Sequence, residues 1–89
     1  MTSDQPIYQR DFKPNGEIKI YPNRVYIKTK KGLFGYKEDT VLIKTITAVD
    51  LDGIVKRLKI KTNGGQVYEH PHAVGKTAQE IQAVLLGLL

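Results

Sequence analysis

Apolar and polar residues alternate through most of this chain, and a helical period occurs only near its end. Between residues 73 and 89, five apolar side chains fall on one side of a helical wheel. They are Val74, Ala78, Ile81, Leu85 and Leu88. This stripe predicts an amphipathic helix that begins at Ala73 or at Thr77, since Thr77 and Glu80 have the spacing of a capping box.

Two alternating segments predict a first hairpin. Gly16 to Tyr21 and Arg24 to Thr29 each place an apolar residue at every second position, which is the period of a half-buried strand. Pro22-Asn23 provides the turn between them. The residues expected to face the core are Ile18, Ile20, Val25 and Ile27.

The middle of the chain predicts a connection followed by a long β-segment. Residues 30–37 combine lysine, glycine and aromatic residues, and Gly32 and Gly35 are expected to frame a short extended piece. Residues 40–51 are rich in β-branched residues but are long for one strand. A kink between Lys44 and Thr47 would let the apolar side chains on both sides of it reach the core, namely Val41, Ile43, Ile46 and Val49.

A second hairpin precedes the helix. Residues 54–62 predict a strand with Leu58 and Ile60 inward, and residues 66–70 return antiparallel to it. Asn63-Gly64-Gly65 supplies the positive φ angles of a tight turn. The predicted fold is therefore α+β, a bent antiparallel sheet or partly open barrel of six or seven strands with one C-terminal helix capping it.

A chain of 89 residues has room for one domain with one modest core. Residues 1–15 contain two prolines and are expected to form a loose N-terminal segment that adds an edge strand near Ile7 to Phe12. Residues 16–89 are expected to form the domain. The N-terminus lacks the pattern of a signal peptide, and the absence of cysteine fits a reducing cytoplasm. The longest apolar run, Ala83 to Leu86, is far too short to span a membrane, so the expected location is the cytoplasm, including the periphery of a membrane.

The order of these segments resembles the pleckstrin-homology-like (PH-like) family, in particular its small bacterial members. The resemblance covers residues 16–89 and rests on the GEIKIYPNRVYIKT hairpin, the KKGLFG link, the VLIKTITAV segment and the KRLKIKTNGGQVYEHP hairpin. It implies a strongly bent sheet, nearly closed into a barrel, with the helix at one open end. Family members bind phosphoinositides, peptides or proteins, or assemble into rings. From the residues alone an OB-fold stays open, whereas an Sm-like barrel would begin with its helix.

The net charge of +5 permits an acidic partner such as nucleic acid or an anionic lipid surface, although it is also ordinary for a small domain. Residues 24–37 contain five basic residues and no acid, interleaved with aromatic residues. Lipid-binding members of the resembling family use basic residues of the first hairpin, but the Pro22-Asn23 turn is too short for the long loop that wraps a head group. The candidate anion-binding residues are Lys19, Arg24, Lys28, Lys30, Lys31 and Lys37.

A second basic cluster occurs at residues 56–61, although alternate lysines also protect sheet edges. Other residue types do not indicate catalysis. His70 and His72 are separated by Pro71 and have no third metal ligand beyond Glu69. Asp50 and Asp52 lie beside Gly53, where aspartate is typical of a turn. We therefore expect no enzyme, no cofactor, no metal and no small-molecule substrate.

The end of the chain is more apolar than a surface helix requires. Leu86 lies about 120° from the centre of the stripe, and exposed apolar residues of this kind often mark a protein interface. The candidate interface residues are Leu85, Leu86, Leu88 and Leu89. The first hypothesis is a non-enzymatic interaction module that binds protein, including copies of itself. The alternative is a peripheral binder of anionic lipid or nucleic acid through the basic face.

Overall fold

The computed structural model describes residues 5–89, so the first four residues of the predicted loose segment lie outside the described residues. This part of the chain forms seven strands, a 3-10 helix and an α-helix. The strands are β1 Tyr8–Asp11, β2 Gly16–Ile20, β3 Arg24–Lys30, β4 Tyr36–Leu42, β5 Ile46–Asp52, β6 Arg57–Thr62 and β7 Val67–Tyr68. The 3-10 helix is Ile43–Thr45, and α1 is Gly75–Leu88.

The strands form two antiparallel sheets, with the orders β1-β2-β3-β4 and β5-β6-β7. The 3-10 helix joins the two sheets, because it ends β4 and leads directly into β5. The predicted α+β class, the strand number and the C-terminal helix are confirmed. The single bent sheet is not observed, since two sheets take its place, and no closed barrel forms within residues 5–89.

The core lies between the two sheets and α1, and the residues predicted to face it are buried. The 3-10 helix provides the break predicted near Lys44 to Thr47, although it begins one residue earlier, at Ile43, and β5 resumes at Ile46. It changes the phase of the alternation between β4 and β5. Three residues of the helical stripe are fully buried, while its two ends are only partly covered. The buried apolar set includes Ile18, Ile20, Val25, Ile27, Val41, Ile43, Ile46, Val49, Leu58, Ile60, Ala78, Ile81 and Leu85.

Both predicted starts of the helix are wrong. The helix begins at Gly75, its N-cap residue is Val74, and no side chain caps it. The backbone N–H of Gly75 instead donates to the carbonyl oxygens of Val55 and Lys56, at 2.9 Å and 3.2 Å. One of the donors that a helix start leaves unpaired is therefore satisfied by the β5–β6 turn rather than by a hydroxyl group.

Three strand boundaries also differ from the prediction. Strand β4 begins at Tyr36, so the residues before it form a tight hairpin turn instead of an extended piece. Strand β6 begins at Arg57, which places Ile54 and Val55 in a turn. Strand β7 contains only Val67–Tyr68. The first two differences leave bulky apolar residues at the ends of hairpins.

Candidate functional site

The turn between β3 and β4 exposes two bulky apolar side chains. We call residues Lys31 to Gly35 the first tip. The Lys31 N–H donates to the Gly35 carbonyl oxygen at 3.2 Å, and Gly35 has a positive φ of 84°. Between these residues, Leu33 and Phe34 are 85% and 89% exposed. The backbone closes this turn with glycines, so the two apolar side chains contribute nothing to the core.

Two lysines accompany this apolar pair. Lys30 is the last residue of β3 and is paired with Tyr36, and Lys31 follows it in the first tip. Within residues 5–89, neither lysine forms an ion pair. The first tip therefore combines exposed apolar surface with positive charge that no acidic side chain of the described residues pairs.

The other candidate lysines lie beside acidic residues. The Lys19 ammonium is 3.9 Å from a Glu17 carboxylate oxygen, and the Lys37 ammonium is 3.8 Å from an Asp39 carboxylate oxygen. Lys28 is paired across the sheet with Glu17 on β2 and with Glu38 on β4. The outer face of the first sheet is thus mixed in charge, although residues 24–37 contain no acidic residue in sequence before Glu38.

Arg24 belongs to the opposite end of the sheet. Its guanidinium carbon lies 3.9 Å from the centre of the Tyr21 ring, and its Nη1 donates to Asn23 Oδ1 at 2.9 Å. These contacts hold the β2–β3 turn. Six residue steps along β3 separate Arg24 from Lys30, a distance of about 20 Å. The structure therefore does not join Arg24 to the first tip.

Only one of the three aromatic residues in the basic stretch is free. The Tyr26 hydroxyl donates to Glu38, and burial together with this bond raises the pKa of Tyr26 to about 12. The Tyr36 hydroxyl donates to the Pro14 carbonyl oxygen at 3.0 Å, and the Lys28 ammonium lies 4.5 Å from the Tyr36 ring centre. Phe34 is therefore the aromatic side chain available to a partner.

Where β3 approaches the first tip, at Lys28, its backbone is held by buried polar contacts. The fully buried His70 donates from Nε2 to the carbonyl oxygens of Asn15 at 3.1 Å and Lys28 at 3.0 Å. Its Nδ1 accepts the backbone N–H of His72 at 3.1 Å. Burial is the main cause that lowers the pKa of His70. We call Asn15, Gly16, Lys28 and His70 the hairpin base.

Gly16 is required in the hairpin base for steric reasons. Its φ is +111°, and a Cβ atom added to it would lie 1.9 Å from the Lys28 carbonyl oxygen. That oxygen also accepts the His70 bond, so it cannot move without losing its partner. The close approach of two backbones at this point needs a residue without a side chain.

The residues considered for metal binding and catalysis have structural partners. Both ring nitrogens of His70 are used in hydrogen bonds, and no group of three potential metal ligands occurs within residues 5–89. Asp52 and Asp50 form ion pairs across the β5–β6 hairpin with Lys59 at 2.9 Å and Lys61 at 3.1 Å. The hydrogen bond from Lys59 is the main cause that lowers the pKa of Asp52.

The candidate interface at the helix end divides into two parts. Leu85 is buried and Leu88 is partly buried, so both contribute to packing. Leu86 and Leu89 are 53% and 54% exposed. Beside them runs an open groove lined by Pro22, Asn23, Leu42, Ile43, Lys44 and Leu88.

The sequence analysis missed a second exposed apolar pair. We call residues Gly53 to Lys56, between β5 and β6, the second tip. Ile54 is fully exposed and Val55 is 55% exposed. Their β-branched side chains favour a strand prediction. The Asp-Gly pair before them is a turn signal, and a four-residue turn starting there would have placed both side chains outside the sheet.

Within residues 5–89, no helix is both long enough and apolar enough to cross a membrane. Comparisons of the chain with protein-family models, with curated proteins and with solved structures found no match.

Proposed function

We propose that the chain is a non-enzymatic interaction module of the PH-like type that attaches to an anionic membrane surface through the first tip. The observation that carries the proposal is the exposure of Leu33 and Phe34, at 85% and 89%, next to Lys30 and Lys31, which form no ion pair within residues 5–89. Apolar side chains rimmed by cations are suited to the boundary between acyl chains and anionic head groups.

The expected strength of this contact is that of a reversible attachment. Burying Leu33 and Phe34 in an apolar environment contributes about 1.5 to 3 kcal/mol each. Each lysine near an anionic surface adds about 1 kcal/mol. The total of about 5 to 8 kcal/mol before ordering costs is far below that of a membrane-spanning helix. The tip would therefore bind and release, and its binding would depend on salt.

A membrane surface explains the first tip better than nucleic acid does. Single-stranded nucleic acid needs a continuous basic groove with aromatic side chains that stack on bases. Here Glu17 and Glu38 interrupt the lysines of the sheet, and the hydroxyl groups of Tyr26 and Tyr36 are bonded within the fold. Leu33 has no ring with which to stack. An apolar partner for both tip residues is therefore the simpler assignment.

The PH-like assignment in this proposal is supported by the order of the strands and the helix along the chain. Seven antiparallel strands followed by a helix that packs on β5 and β6 keep the order of elements that the resemblance implies, although two sheets take the place of one bent sheet. A small cavity near the β1–β2 loop is lined by Asp11, Glu17, Lys13 and Lys28, so its charges balance. We therefore assign binding to the bilayer interface rather than to one specific head group.

The test is binding to vesicles of phosphatidylcholine mixed with phosphatidylserine, against pure phosphatidylcholine. We expect the wild-type chain to sediment with the mixed vesicles and the double variant Leu33→Ser with Phe34→Ser to lose more than tenfold in affinity. Leu86→Ser with Leu89→Ser is the matched control, because it removes a similar apolar pair at the helix end. Equal binding of the wild type and the tip variant would overturn the proposal.

A second candidate function is self-association through the helix end. The exposed Leu86 and Leu89 beside the apolar groove favour it, although each is only about half exposed, which is less than either residue of the first tip. Concentration-dependent mass in solution that Leu86→Glu abolishes would support this function. A constant monomer mass up to high concentration would exclude it.

A further inference from the structure

The second tip repeats the chemistry of the first at another hairpin. Ile54 and Val55 are adjacent, bulky and apolar, and Ile54 has no contact that reduces its exposure. The next two residues, Lys56 and Arg57, are basic. The first tip has the reverse order, since Lys30 and Lys31 precede Leu33 and Phe34 with one glycine between. These are two separate β-turns with one composition, an apolar pair beside a basic pair.

The fold does not require apolar residues in the second tip. The turn is closed by backbone geometry, since Gly53 and Lys56 both have positive φ, at 76° and 56°. The Lys56 N–H donates to the Gly53 carbonyl oxygen at 3.2 Å, and Gly75 fixes the carbonyl groups of Val55 and Lys56. Small polar residues would serve such a turn equally well. An isoleucine and a valine there are therefore unexplained by folding.

The charge beside the second tip is also available. Within the described part of the chain, Lys56 and Arg57 form no ion pair, whereas the neighbouring acid Asp52 is already bound to Lys59 at 2.9 Å. In the basic cluster of residues 56–61, Lys59 and Lys61 are ion-paired, and Arg57, the first residue of β6, lies opposite Asp52 in the strand register. Within residues 5–89, Lys56 is therefore the charge of the second tip that no acidic side chain pairs. The positive charge of the second tip complements an anionic surface.

The segment from His70 to Gly75 contacts both the hairpin base and the second tip. His70 binds the carbonyl oxygen of Lys28 on β3, and Gly75 binds that of Val55 in the second tip. Five residue steps separate His70 from Gly75, which limits their distance to about 17 Å. The β2–β3 turn and the 3-10 helix lie at the other end of β3 and contact each other through the Asn23 carbonyl oxygen. Each tip is separated from the 3-10 helix at that end by one seven-residue strand, the first tip by β4 and the second by β5.

We infer that the second tip is a second membrane-contact element, and that both tips bind one anionic bilayer together. This inference rests on the proposed function of the first tip. Two contacts on one rigid domain act as a linked pair, so each raises the apparent affinity of the other. The arrangement would also orient the domain, leaving Leu86, Leu89 and the groove beside them directed away from the bilayer.

The test compares double variants of the full chain on the same mixed vesicles of phosphatidylcholine and phosphatidylserine. We expect Ile54→Ser with Val55→Ser to lower the affinity roughly tenfold, and the quadruple variant of both tips to bind no better than background. Leu86→Ser with Leu89→Ser is again the matched control and should bind like the wild type. Circular dichroism melts should show that every variant is folded, since all the changed side chains are exposed.

The outcomes separate this inference from the proposed function. If only the first-tip variant loses affinity, the second tip does not touch the membrane and the inference is wrong, while the proposed function holds. If the wild type does not bind the mixed vesicles, both are wrong. Self-association that Ile54→Ser with Val55→Ser abolishes, without an effect on vesicle binding, would assign the second tip to another copy of the chain and overturn the inference.

Discussion

The base and the tip of the β3–β4 hairpin have opposite relations to water. At the hairpin base, the polar ring of His70 is fully buried and hydrogen-bonded to two carbonyl oxygens. A few residues further along the same hairpin, Leu33 and Phe34 stand almost entirely in solvent. Burying a polar group and exposing an apolar pair are both unfavourable unless something compensates for them.

The compensation differs between the two regions. At the hairpin base it lies within the chain, because every polar atom of the His70 ring has a partner. At the first tip no part of the described chain covers the apolar pair, and under the proposed function the compensation comes from the membrane. Changes at the base should therefore affect folding, whereas changes at the tip should affect binding, and the following predictions test that division.

The largest expected effect is that of Gly16→Ala on folding. The new Cβ atom would meet the Lys28 carbonyl oxygen at 1.9 Å, and the positive φ adds backbone strain, so we expect a loss of about 3 kcal/mol or more. Gly35→Ala is the matched control, because that glycine has φ of +84° but open space around it and should cost only about 1 kcal/mol. Denaturant unfolding measures both. Similar losses in the two variants would contradict the steric argument.

The next effect is that of His70→Leu. Leucine fills much of the space of the ring but makes none of its hydrogen bonds. The His72 N–H and the carbonyl oxygens of Asn15 and Lys28 then lose their partner, so we expect the free energy of unfolding to fall by about 2 to 3 kcal/mol. His72→Leu should cost less than about 0.5 kcal/mol, because the His72 side chain is exposed. The same unfolding experiment compares them. A stable His70→Leu variant would show that the hairpin base does not depend on this histidine.

A charge reversal in the first tip should weaken membrane binding by roughly tenfold or more, at about 1 kcal/mol for each unit of charge. The variant is Lys31→Glu, and Lys44→Glu is its control, since it makes the same change in net charge in the 3-10 helix at the other end of β3. The difference between the two should shrink as salt is added. Equal loss in both variants would mean that only the total charge of the domain matters.

The stability of the fold should decrease in acid because of His70. Burial lowers its folded-state pKa below the usual value near 6.5, so below that pH the unfolded chain binds the proton more readily. Stability is therefore complete above about pH 6.5 and falls as the pH drops toward the folded pKa, by at most about 1.4 kcal/mol per pH unit. Unfolding free energies measured from neutral to mildly acidic pH check this. The slope near pH 6 should persist in His72→Gln and be reduced in His70→Gln.

The smallest expected effect is that of Leu33→Ser with Phe34→Ser on folding. Because both side chains are exposed, the unfolding free energy should change by no more than about 0.5 kcal/mol. A large loss of stability would place these residues in the folding of the hairpin and remove the contrast with the base.

Much of the fold could be predicted because it follows from local patterns. The alternation around Ile18 and Ile27, and the stripe through Ile81, depend only on the periods of strands and helices. The break at the 3-10 helix was visible because residues 40–51 were too long for one strand. The start of α1 could not be predicted, since the Gly75 N–H donates to carbonyl groups that lie twenty and nineteen positions earlier, those of Val55 and Lys56.

The candidate site was predictable only in part. The sequence indicated a basic stretch that contains Phe34. Which of its lysines lie beside an acidic residue depends on the strand register, which brings Glu17 and Glu38 beside Lys28. The second tip was hidden for a different reason. A strand and a turn with bulky residues have the same composition, and only the tertiary structure shows that Ile54 is fully exposed.

A tryptophan at position 34 would report directly whether the first tip enters a bilayer. The chain contains no tryptophan, so Phe34→Trp provides a single fluorescent reporter in the first tip. We predict that its emission shifts to shorter wavelength on vesicles that contain phosphatidylserine, and that lipids brominated on their acyl chains quench it. An emission spectrum that stays at the wavelength of a water-exposed indole on every vesicle would contradict the account.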